Sequence, residues 1–192
     1  HLDPTQRLIR SKLVALMSHR GGEQSATNEA VGSYVREAAF TTLNRFAALK
    51  MLEARSLVQE CVSRGLESSG FREFTGLAPG IAHNPDLSYR LYIESLCDEI
   101  AQEVGVLFDR RDPASLLWPR RTALLELLEI LNAQELSPAW REDETIGWIY
   151  QYFNSEDERR KMRDESSAPR NSRELAVRNQ FFTPKYVVAF LT

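Results

Sequence analysis

Apolar residues recur at intervals of three and four along most of this chain, and that spacing predicts helices. Leu8, Ile9, Leu13, Leu16 and Met17 line one face of a first helix. It begins after Asp3 with Pro4 at its first position, and Gly21-Gly22 stops it. A small, polar loop over 21–28 follows. From Asn28 to Arg64 the helical spacing resumes through Val31, Val35, Phe46, Leu49, Leu52 and Cys61, with a break expected near Ala54–Ser56. The glycine-rich stretch 65–84 reads as a connecting loop, with Phe71 and Phe74 tucked down as anchors.

Leu87 to Phe108 reads as a further helix, punctuated by Asp112-Pro113. Pro119 opens another, whose wide apolar face is Leu124, Leu125, Leu127, Leu128, Ile130 and Leu131. A short aromatic helix covers 145–153. Ser155 and Glu158 then fit a capping box for a charged helix. Near the end Thr183 is placed to cap a last helix with Pro184 at its first position. Strand-like alternation is scarce and β-branched residues do not cluster, so the expected fold is all-α, a multi-helix bundle. The division expected is a helical domain over 1–154, a charged linker over 155–178 and the start of a further domain over 179–192.

Composition narrows the class without naming a chemistry. Apolar residues make up 43% and charged residues 27% of 192, an ordinary globular balance. No apolar run approaches the ~20 residues that span a bilayer. Cys61 and Cys97 sit among helical apolar positions and read as buried free thiols of a reducing cytoplasm. Three histidines offer no cluster with metal-ligand spacing. The net charge of −3 conceals a mildly basic stretch over 155–185, with eight Lys/Arg against six Asp/Glu. There Arg159, Arg160, Lys161, Arg163, Arg170 and Arg173 are candidates for phosphate contacts to DNA. Interleaved Glu156, Asp157, Glu158, Asp164 and Glu165 favour a solvated, internally paired helix instead.

Smaller constellations have bland readings too. Arg110-Arg111 and Arg120-Arg121 bracket Trp118 as a second basic cluster. Trp148, Tyr150, Tyr152 and Phe153 suit either a base-stacking platform or a core or domain junction, the latter favoured. Asp98, Glu99 and Glu103 read as a solvated helix face rather than acid–base machinery.

Two separated stretches share one resemblance. Thr41–Glu53 reads Thr-Thr-Leu-Asn-Arg-Phe-Ala-Ala-Leu-Lys-Met-Leu-Glu. Residues 145–153 read Thr-Ile-Gly-Trp-Ile-Tyr-Gln-Tyr-Phe, and 178–192 read Arg-Asn-Gln-Phe-Phe-Thr-Pro-Lys-Tyr-Val-Val-Ala-Phe-Leu-Thr. Together, and in this order, they resemble the N-terminal helical domain of large adenine-specific DNA methyltransferases. These are the BREX- and DISARM-type enzymes and single-chain restriction–modification enzymes, with type I modification subunits as distant relatives. The resemblance covers about a third of the chain. It implies a bundle cut off at the entrance to a Rossmann-like methyltransferase domain, with Phe181, Phe182, Thr183 and Pro184 beside an S-adenosylmethionine pocket. It further implies duplex DNA as substrate of the complete enzyme, partner subunits of a defence system, a cytoplasmic setting and no membrane. The family's Gly-rich cofactor loop and Asn-Pro-Pro-aromatic motif are missing. Asn84-Pro85-Asp86 does not match the latter, so these residues are expected to be inactive alone.

Overall fold

The computed structural model describes residues 4–21, 28–153, 160, 163–164, 168, 183 and 185–191. Among them the regular structure is helical, with no strand. The chain divides into two units, His1–Leu136 and Ser137–Thr192, so the aromatic helix belongs with the second unit.

In the first unit, α1 (Pro4–Gly21) and α2 (Asn28–Ala54) follow the sequence pattern closely. The expected continuation of α2 to Arg64 does not form. Ser56 takes the left-handed conformation at φ 58°, its N–H bonds Glu53 O, and Leu57 N–H reaches back to Leu52 O. These two bonds close the helix in a Schellman motif, with serine in the place glycine normally takes.

Residues 57–64 then fold back over the end of α2, and Gly65 turns the chain at φ +50° against Leu128. The stretch 65–84 is not a simple loop, because α3 (Ser69–Leu77) lies inside it. Its first N–H, on Ser69, is accepted by the Glu60 carboxylate at 2.9 Å, and Gly70 N–H by Glu60 O at 3.0 Å. Gly70 has to be glycine, since a Cβ there would strike the Tyr92 hydroxyl and come within 2.8 Å of Glu60 O. Phe71 and Phe74 are anchors as expected. Phe71 meets Tyr89 edge-on at 5.4 Å, and Phe74 lies 5.4 Å from Tyr92.

Helix α4 (Pro85–Ile100) starts two residues earlier than the pattern suggested. Asn84 caps it, its side-chain oxygen accepting Leu87 N–H at 3.2 Å. Asn84-Pro85 is therefore a helix start. The helix expected to reach Phe108 ends at Ile100, and a separate turn, α5 (Gly105–Phe108), follows. Helix α6 (Arg121–Leu131) buries Leu124, Leu128 and Leu131. Its apolar face is narrower than expected, for Leu125 and Ile130 are 42% and 55% exposed. The core gathers on α2, through Phe46, Ala47 and Leu49, with Val62, Tyr89, Ile93 and Phe108 around it.

The second unit holds α7 (Thr145–Phe153) and α8 (Lys185–Leu191). Trp140 is buried just before α7, and the Thr145 hydroxyl donates to Ala139 O. No helix among the described residues is long and apolar enough to cross a membrane.

Candidate functional site

The charged residues of Thr41–Glu53, Arg45, Lys50 and Glu53, are spent inside the first unit. Glu53, at the end of α2, accepts the backbone N–H groups of Cys61 at 2.9 Å and Val62 at 2.7 Å, and that of Ser63 at 3.2 Å. The Ser63 hydroxyl donates to it as well. Burial acts to raise the Glu53 pKa. The hydrogen bonds from Ser63, Cys61 and Val62 outweigh it and hold the carboxyl below its ordinary value. One turn earlier, buried Lys50 donates to Ser63 Oγ at 2.5 Å and Asn132 Oδ1 at 2.6 Å, with Glu53 3.8 Å away. Asn132 Nδ2 closes the network by donating to Val62 O at 3.0 Å. The turn over 57–64 has little regular backbone bonding, and this carboxylate, ammonium and amide hold it in place.

Arg45, on the same helix, donates through Nε to Leu107 O and through Nη2 to Asp109 O, each at 2.9 Å. It thereby satisfies carbonyls at the end of α5 that have no helical partner. Phe46 packs on Trp118 with centroids 6.0 Å apart, and the Arg90 guanidinium lies 5.7 Å from the Trp118 ring centre. Asn44 Oδ1 is buried without a partner. The stretch that sequence singled out is thus a structural hub. Its long-range partners carried no local signal.

The basic cluster around Trp118 is largely neutralised. Arg110 pairs with Glu94 at 2.7 Å and with Asp98, Arg111 pairs with Asp109 at 2.9 Å, and Arg121 pairs with Asp86. Asp98, Glu99 and Glu103 are exposed, as expected of a solvated face. Among the described residues no group of three or more His, Cys, Asp or Glu could hold a metal ion. An open depression of about 670 Å³ is lined by Glu37, Gly105, Asp109, Arg111, Asp112 and Pro113. Asp109 and Arg111 pair with each other there, and Asp112 accepts the Ala114 N–H.

Both cysteines are free and buried. Burial pushes the Cys97 thiol up to about 11, and burial with the nearby Glu53 carboxylate raises Cys61 strongly. A thiol-disulfide reagent near neutral pH is expected to leave both untouched in the folded protein and to modify both after denaturation. Rapid modification of either one in the native state contradicts this.

In the second unit Trp148 and Tyr152 stack at 5.9 Å with an interplanar angle of 28°. Tyr152 is 76% exposed, so the aromatic helix is not wholly core. Of the residues expected beside a cofactor, Phe181, Phe182 and Pro184 lie outside the described residues, and Thr183 is exposed. The backbone N–H of Lys185 donates to Glu144 Oε1. Of the basic run, Arg160 and Arg163 are helical and exposed. Arg159, Lys161, Arg170 and Arg173 lie outside the described residues.

No family model, no curated protein and no solved structure gives a significant match to the chain.

Proposed function

We propose that this chain is the N-terminal helical scaffold of an S-adenosylmethionine-dependent, adenine-specific DNA methyltransferase of a bacterial phage-defence or restriction–modification system. The reading rests on the resemblance of Thr41–Glu53 and of the 145–153 and 178–192 stretches, found in the family's order. The scaffold part of the reading is supported by one observation: Arg45, Phe46, Lys50 and Glu53 hold α5, Trp118, Asn132 and the 61–63 turn in place. A motif whose residues are spent on architecture suits a scaffold and not a catalyst. Catalysis, the cofactor and the base to be methylated belong to a further domain of the complete cytoplasmic enzyme, acting on duplex DNA. Defence-system subunits are its partners. Tyr186, Val188, Phe190 and Leu191 on α8 are exposed. In this reading they pack against that further domain.

The test is the reading frame that follows the Thr192 codon. A strand with a Gly-rich loop, then an Asn-Pro-Pro-aromatic motif, is expected there. A stop codon directly after Thr192 overturns the reading, and a helical interaction or DNA-binding module takes its place.

A further inference from the structure

Charge is segregated along this chain in a way the basic run over 155–185 does not capture. Helix α1 holds Arg7, Arg10, Lys12 and Arg20 and no Asp or Glu. With the whole chain at −3 and α1 at +4, the other residues together carry −7. An island of one sign on a chain of the other is not the interleaved pattern of an ordinary solvated face.

Three of the cations of α1 are also unspent. Arg7, Arg10 and Lys12 are exposed, and none forms an ion pair or hydrogen bond with a described residue. Arg90, Arg110, Arg111 and Arg121 each have a carboxylate partner.

Geometry selects the partner. Ile9, Leu13, Leu16 and Met17 make the inward stripe of α1, while Arg7, Ser11, Val14 and Ser18 face out. Helical spacing puts Arg10 and Lys12 on opposite flanks of that outward stripe. A helix with its side chains is about 10–12 Å across, close to the ~12 Å width of the B-form major groove. Flanking cations on such a helix reach phosphates along both edges of the groove. The deep, narrow major groove of A-form RNA does not admit it. A membrane surface fits poorly, because α1 has no aromatic residue and exposes only Leu8 and Val14 among its large apolar side chains.

We propose that the outward face of α1, through Arg7, Arg10 and Lys12, contacts the phosphate backbone of duplex DNA without reading its sequence. The surface does not rest on the methyltransferase reading, and a stop codon after Thr192 leaves it standing. Fluorescence anisotropy with the full chain and a labelled duplex of about 20 base pairs, between about 50 and about 200 mM salt, tests it. Three phosphate contacts predict a slope of log affinity against log salt of about −3. The triple variant R7Q/R10Q/K12Q is expected to lose about tenfold or more at the lowest salt and to flatten the slope. R7K/R10K/K12R keeps the charge and the binding. Unchanged circular dichroism of the triple variant excludes misfolding of these exposed sites. Three results overturn the proposal: no duplex binding by the unaltered chain, equal binding by the triple variant, or binding to phosphatidylserine vesicles or duplex RNA in preference to duplex DNA.

Discussion

Replacing Glu53 by alanine is expected to lower stability by about 3–5 kcal/mol, read as a shift of the urea midpoint by circular dichroism. The change strips the acceptor from three backbone N–H groups and leaves Lys50 buried beside an empty place. Each donor left without a partner costs about 1–3 kcal/mol. Glu53→Gln keeps one acceptor oxygen but turns an amide NH2 toward donors, so it recovers only part of the loss. A midpoint for Glu53→Ala within error of the unaltered protein sinks the assignment of Glu53 as the organiser of this turn.

The same carboxylate predicts a pH dependence. Glu53 is held below its ordinary value of 4.5. Glu60, bonded to Arg64 and to Ser69 N–H, is held down at about 2. A carboxyl whose pKa is lower in the folded state stabilises the fold above the unfolded value. That contribution disappears as pH falls through the folded value. Stability is therefore expected to decline from pH 4.5 down to about 2. The double variant E53Q/E60Q starts lower and declines less over that window. A decline as steep as that of the unaltered protein removes both residues from the account.

Phe46→Ala is the second large effect, a loss of about 3–5 kcal/mol. The ring is 1% exposed and supports Trp118 from one side, with the Arg90 guanidinium over the Trp118 ring. Its removal leaves a cavity where α2 meets the 117–120 segment, and the emission of Trp118 is expected to shift toward that of a wetter indole. Phe46→Leu retains most of the volume and costs about 1 kcal/mol. A loss below about 1 kcal/mol for the alanine variant would mean that the core closes over the gap. Phe46 would then not be the keystone of this junction.

The sequence marks Thr41–Glu53 by resemblance, and the structure shows what its residues do inside the fold. Arg45 bonds carbonyls 62 and 64 positions along the chain, and Lys50 bonds a side chain 82 positions away. The Trp118 cluster was equally visible in sequence. Its neutralisation depends on Glu94, Asp98 and Asp86, brought there by α4.

Local pattern determined the all-α class, the course of α1, α2, α4, α6 and α7, the break near Ala54–Ser56 and the buried thiols. Periodicity and turn residues are set by neighbours within a few positions, and such interactions are written in the sequence. Only the tertiary structure decided that no helix resumes after Ser56, because the Glu53 carboxylate holds the backbone of residues 61–63 folded back. It alone placed α3 within the supposed loop, because the cap of that helix comes from Glu60, nine positions before Ser69. It alone left Leu125 and Ile130 in solvent, because burial depends on which elements arrive to cover a face, and helical periodicity does not specify that.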